Sequence, residues 1–375
     1  MITDVNPHTL IKKVKHHTSP TVENRDFLVA ENQLIELLTL EELDKYLTQS
    51  PERVEKLEAA IATALPLAYA DPLTPGDANA HRFLQRVLYR INRLNLFWYD
   101  DLNHYQNERS FYLQWIRDRI ESVWQAWELA QIDIETLKQQ DVKQTLTEWG
   151  EADLNPPITE NRSFLRKEID REGYRWLLAI ASLDGLVEAS RMSRILGGAS
   201  NEVQATLIRV LLEEYGNGRL SRKHSTFFAK MMAEMALNTE PEGYFDLAPW
   251  ELLASINHNF LLTECKRHFL RYNGGLTYFE IVGPSIYTDY LIAAQRLNLS
   301  EDSSGYWTLH IREDERHGQW MLQDVALPLA EQYPDNAWEI LLGYAQEKLI
   351  GERAGKAVIQ CIKQAENPLP VIPSA

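Results

Sequence analysis

Near its C-terminal end the chain reads HIREDERHGQW over residues 310–320, which spaces His310, Asp314 and His317 at i, i+4 and i+7. On an α-helix that spacing stacks the three side chains on one stripe about 10 Å long, while Arg312, Glu313, Glu315 and Arg316 point elsewhere. Two imidazoles and a carboxylate on one stripe are either a solvated charged face or half of a metal site. One helix cannot decide between them, so the rest of the chain must supply or withhold the other half.

Polar groups in the core of a helix bundle are costly unless they are paired or bind an ion. Acids and histidines embedded in apolar helix faces are therefore the next candidates. Glu213 and Glu214 end an apolar run, Gly216-Asn217-Gly218 interrupts the helical pattern, and His224 follows ten residues after Glu214. Ten residues turn an ideal helix by about 1000°, leaving Glu214 and His224 roughly 80° apart. A glycine-loosened turn lets both reach one point; the competing reading is a helix end with an ordinary surface pair. Glu280 lies inside Tyr-Phe-Glu-Ile-Val, ahead of Gly283 and Pro284. A carboxylate so surrounded must be neutralised, paired or coordinated, and Pro284 removes the backbone donor to its carbonyl and favours a kink. Glu188 is an optional seventh member, since Arg191 three residues on offers it an ion pair. Mixed imidazole and carboxylate ligands suit iron or manganese better than calcium or magnesium. Bundle cores are the usual home of dinuclear carboxylate sites.

The elements that must position these residues are helices. Strand signals are almost absent, and helical periodicity runs through about 31–47, 79–97, 104–131, 134–148, 164–190, 201–215, 219–238, 247–270, 275–298, 306–330 and 335–365. The fold class is all-α. The expected organisation is a polar arm over 1–30, an N-terminal helical region over 31–160, a seven-helix bundle over 161–366, and a disordered proline-rich tail over 367–375. The proline pair in the polar run 149–163 is the expected boundary. Aromatic amphipathic helices in the N-terminal region suggest a homodimer interface. A net charge of −16 repels phosphate backbones and argues against nucleic acid as partner; the basic stretch 81–93 reads as one amphipathic helix. With no apolar run of about 18 residues, no signal-peptide core and two widely separated cysteines, the expectation is a cytoplasmic protein with no membrane partner.

Taken in order, Glu214 and His224, then Glu280, then His310, Asp314 and His317 resemble the ligand set of the haem-oxygenase-like diiron oxidases, the iron-containing redox enzymes. The resemblance covers roughly 160–365, and Glu188 falls where some N-oxygenating members carry a further acid. It implies a haem-oxygenase-like seven-helix bundle with two Fe(II)/Fe(III) ions and O2 as co-substrate, reacting through a peroxo-bridged diferric species. The activity it implies is N-oxygenation, desaturation or oxidative C–C cleavage of a small amino-acid-like or carboxylate substrate, with an external electron donor where needed. It also implies a labile second iron. The iron pair itself is the catalyst, and no separate catalytic residue is assigned. For the substrate, Arg219, Arg222, Arg267 and Arg271 are carboxylate-binding candidates because guanidinium forks match carboxylates, and Tyr278 and Tyr287 are candidate pocket walls. Three other readings compete: a haem protein of the same fold with one axial histidine, thiaminase-like chemistry on Cys265, and a non-enzymatic helical scaffold.

Overall fold

A computed structural model describes residues 24–371. Every regular element among the described residues is a helix, as the periodicity predicts. Contacts divide the chain into two compact units between Asp133 and Ile134.

The first unit is built on α1 (Asn24–Leu38), α2 (Leu43–Gln49), α3 (Glu55–Tyr69), α4 (Ala78–Asn92) and α5 (Phe111–Leu129). Asp77 and Ser110 cap α4 and α5, each side chain accepting from a backbone N–H three residues on. Leu34, Ile61, Leu84, Leu88 and Trp124 are buried between the helices. The basic stretch 81–93 lies on α4, and its apolar face supplies Phe83, Leu84, Val87 and Leu88 to this core. Its Arg86 is itself buried and, with Arg90, holds Glu31 at 2.7 Å.

The second unit contains α6 (Val142–Leu154), α7 (Glu160–Lys167), α8 (Arg171–Gly185), α9 (Glu202–Glu214), α10 (His224–Glu234), α11 (Trp250–Glu264), α12 (Phe269–Arg296), α13 (Glu301–Trp320) and α14 (Trp338–Gln364). The central helix α12 packs on both α13 and α14, and α10 packs on α13. Beyond Trp320 the helix widens into a π-helical stretch, Met321–Ala326, before a last turn at Leu327–Gln332.

Three expected boundaries move. The proline run at 149–163 lies inside the second unit, because α6 packs there. Trp149 meets the Tyr344 ring at 5.4 Å, and Asp153 accepts from the Tyr344 hydroxyl at 3.0 Å and from Lys348 at 2.6 Å. The prolines turn the chain from α6 into α7 rather than releasing it. Residues 1–23 of the expected arm lie outside the described residues, and from Asn24 the chain is helical. Of the expected tail, 372–375 also lies outside them, but 367–371 is packed: Leu369 is buried, and Arg175 donates to the carbonyls of Leu369 and Pro370 at 2.9 and 2.8 Å. Among the described residues no helix is long and apolar enough to cross a membrane.

Candidate metal centre

Glu214 is the last residue of α9 and His224 the first of α10, and the nine residues between them form a tight return. Gly216, Asn217 and Gly218 all adopt positive φ, at 59°, 53° and 77°. At Gly216 a Cβ would also lie 2.4 Å from the Arg222 carbonyl carbon, so the chain can close on itself only with glycine there. The return brings His224 Nδ1 to 2.7 Å from Glu214 Oε2.

Glu188 comes from the turn after α8, and the other residues from the crossing of α12 and α13. The stripe His310, Asp314, His317 is buried along its whole length, which removes the solvated-face reading. The crossing is close because position 318 is glycine, where a Cβ would lie 3.1 Å from the Glu280 carbonyl oxygen, and at Gly283 a Cβ would lie 2.8 Å from Asp314 Oδ2. His310 Nε2 lies 3.2 Å from His224 Nδ1, 3.6 Å from Glu188 Oε2 and 4.0 Å from Glu214 Oε2. His317 Nδ1 lies 3.5 Å from Glu214 Oε1, 3.4 Å from Glu280 Oε2 and 3.7 Å from Asp314 Oδ1. The ligand-type atoms of the residues singled out in the sequence thus fall into two sets, while Glu213, Glu313 and His317 form a third group on the Nε2 side of the His317 ring. Glu188, Glu214, His224 and His310 form one, and Glu214, Asp314 and His317 the other, each with all its atoms within 4.8 Å of one another. Glu280 adjoins the second set through His317. Glu214 belongs to both, turning one oxygen to each.

All seven ligand-type residues singled out in the sequence, the optional Glu188 included, therefore meet in one place. Glu188 is there because Arg191, its expected partner, pairs with Asp184 and Asn259 instead. Glu188 accepts a 2.5 Å hydrogen bond from the Tyr306 hydroxyl.

So many buried carboxylates repel one another. Burial, reinforced by Glu280, Glu214 and Glu188, pushes Asp314 well above the usual carboxylate range. Glu188 is pushed well up by burial and then by Glu214. Burial also acts to raise Glu214, but the His224 hydrogen bond and the charges of the three imidazoles outweigh it and bring it to about 2. Burial drops His310 to about 4; for His317 burial acts downward too, but Glu280 and Glu214 outweigh it and lift it to about 9. Within the protein, Glu188 Oε1, Asp314 Oδ2 and His317 Nδ1 are buried and make no hydrogen bond. Buried polar atoms are otherwise nearly always satisfied. Three such atoms in one cluster, amid imidazoles and carboxylates, fit a site for divalent transition-metal cations.

The substrate candidates divide. Arg219 and Arg222 are exposed on the return between α9 and α10. Arg267 is engaged by Glu339 and Arg271 by Gln346. Tyr278 packs edge-on against Tyr344 at 5.2 Å, away from the ligand sets, whereas the Tyr287 ring lies 4.9 Å from that of His310. Cys265 follows α11 and enters neither set. Sequence reasoning missed Tyr306, whose ring lies 4.4 Å from His310 and whose carbonyl faces His310 Nδ1 at 3.0 Å. The signal was available, since Tyr306 lies one turn before His310 on the same stripe. It also missed Glu213, whose Oε2 lies 2.9 Å from His317 Nε2.

Residues 175–347 match the family described as iron-containing redox enzyme. A nitrosourea synthase of Streptomyces achromogenes subsp. streptozoticus is 29% identical over 188 residues, which are 49% of this chain and 39% of that enzyme. The match thus spans well under half the length of that relative.

Proposed function

We propose that this chain, which matches the iron-containing redox enzyme family over residues 175–347, binds two iron ions and uses them with O2 to oxidise a small amino-acid-like or carboxylate substrate. The observation that carries this reading is Glu214. Its Oε2 faces His224 and His310, and its Oε1 faces His317. Glu188, His224 and His310 would hold one cation and Glu280, Asp314 and His317 the other, with Glu214 in reach of both.

A bound pair of ferrous ions supplies the electrons that reduce O2 and hence the oxidising power toward the substrate. The chain's own residues do the rest. His310 donates from Nδ1 to the Tyr306 carbonyl, which leaves the Nε2 lone pair for the ion. The Tyr306 hydroxyl holds a proton against Glu188 Oε2. The rings of Tyr287 and Tyr306 pack on His310, with Trp307 stacked behind them, and exclude water from that side. As ligands of bound ions, three imidazoles would add no negative charge and would leave the centre less negative than an all-carboxylate site. A haem needs one proximal histidine and a largely apolar cavity, whereas here three histidines converge with the carboxylates of Glu188, Glu214, Glu280 and Asp314, so the haem reading is not favoured.

The name of the relative, a synthase of a nitrosourea, favours N-oxygenation of a nitrogenous substrate over desaturation or C–C cleavage. An external electron donor would restore the ferrous state. Anaerobic Fe(II) loading tests the reading. About two irons per chain, a transient visible band on O2 exposure, and loss of the second iron in Glu280→Ala with unchanged circular dichroism are expected. A colourless protein that binds no iron would return the scaffold reading.

A further inference from the structure

Resting on that reading of the centre, we propose that Glu213 is a positioning residue that fixes the ring of His317 so that Nδ1, and not Nε2, faces the second ion. Successive residues of a helix point about 100° apart. Glu213 and Glu214, at the end of α9, stand on either side of the His317 imidazole: Glu213 Oε2 is 2.9 Å from Nε2, and Glu214 Oε1 is 3.5 Å from Nδ1. An ionised carboxylate only accepts hydrogen bonds, and a neutral imidazole donates from one nitrogen. Nε2–H therefore donates to Glu213 whether the ring is neutral or charged, and the proton that an ion would displace is the one on Nδ1, the atom that looks toward Glu214, Glu280 and Asp314 and makes no hydrogen bond of its own. The opposite tautomer would set a lone pair against Glu213 and a proton where the ion belongs.

Glu213 is itself held in place. Arg316 donates to its Oε2 at 2.7 Å and also pairs with Glu313. The Trp320 ring backs His317 at 5.6 Å, with the Arg209 guanidinium 3.5 Å over that ring. To swing inward and act as a ligand, Glu213 would have to leave both Arg316 and His317. The two metal-facing histidines of α13 thus differ in how they are oriented. His310 relies on a backbone carbonyl one turn back, whereas His317 relies on a side chain that mutation can remove. Partners of this kind are worth about 10- to 100-fold in metal affinity.

The test compares wild type, Glu213→Ala and Glu213→Gln by anaerobic Fe(II) titration against a competing chelator, with circular dichroism as the folding control. Alongside it, 15N NMR of histidine-labelled, Zn(II)-loaded protein reads which nitrogen of His317 carries the proton. The expected result is that Glu213→Ala weakens one iron equivalent about 10- to 100-fold and leaves the other unchanged. Glu213→Gln, whose carbonyl still accepts from Nε2, recovers part of the loss. In the zinc-loaded wild type the metal sits on Nδ1 and the proton on Nε2. If Glu213→Ala fails to fold, the NMR of the wild type decides. Two irons bound as tightly in Glu213→Ala as in wild type, or zinc on Nε2 of His317, would overturn the assignment. A wild type that binds no iron overturns the reading of the centre and this assignment with it.

Discussion

Two buried carboxylates of the second unit, Asp289 and Asp314, show what separates a structural ion pair from a site. Asp289 lies on α12, nine residues beyond Glu280, and is clamped by α7. Arg162 donates to its Oδ2 at 2.5 Å and to its Oδ1 at 3.2 Å, and Arg166 also donates to Oδ1. Each of its oxygens has a guanidinium partner. Asp314 is equally buried, but four more carboxylates, those of Glu280, Glu214, Glu188 and Glu313, act on it, His317 Nδ1 lies 3.7 Å from its Oδ1, and its Oδ2 makes no hydrogen bond. A fold spends its arginines where charge must be neutralised permanently. At Asp314 it places no arginine, so burial and the neighbouring carboxylates favour the protonated acid until a cation takes the proton's place.

The largest effect that would sharpen this contrast is at Asp289. Asp289→Ala strands two partly buried guanidinium groups and should cost about 3–5 kcal/mol of stability, equally with and without Fe(II), in chemical denaturation. A loss seen only with iron present would place Asp289 in the site as well. Next, Fe(II) at about one hundred times its dissociation constant should stabilise the wild type by about 2.7 kcal/mol per site, and an iron chelator should reverse the gain. An unchanged melting temperature would break the contrast from the other side. Gly283→Ala pushes a methyl group against Asp314 Oδ2; iron affinity should fall roughly tenfold, about 1.4 kcal/mol, with the fold retained, as a chelator-competition titration would show. The smallest effect on stability belongs to Asp314→Asn. Without metal it relieves like-charge repulsion, so the apo-protein should stay within about 1 kcal/mol of wild type or become more stable, while the second iron is lost. An apo-protein destabilised as much as Asp289→Ala would make Asp314 a structural residue.

How much of this was legible in the sequence follows from how local each signal is. The stripe His310, Asp314, His317 depends only on helical period, and the structure keeps it on one buried face. Glu214 and His224 could be placed together only by guessing the shape of the return between them, since on an ideal helix they diverge. Gly216 and Gly218 hinted at that shape but did not define it. Glu213 and Glu214 are the same residue type side by side, and only the position of the His317 ring tells them apart. Arg267 and Arg271 looked available for substrate because Glu339 and Gln346, which engage them, lie more than seventy positions away. The proline run at 149–163 looked like a linker because composition reveals a turn but not where the preceding helix packs. Trp149 and Asp153 bind α6 to α14 and carry that information only in three dimensions.

Crystals of the anaerobically Fe(II)-loaded protein, measured on both sides of the iron absorption edge, test the central claim most directly. Two anomalous peaks should flank Glu214, one beside His224, His310 and Glu188 and the other beside His317, Glu280 and Asp314. No peak at Glu214, or iron confined to the outer face between Glu213 and Glu313, would contradict it.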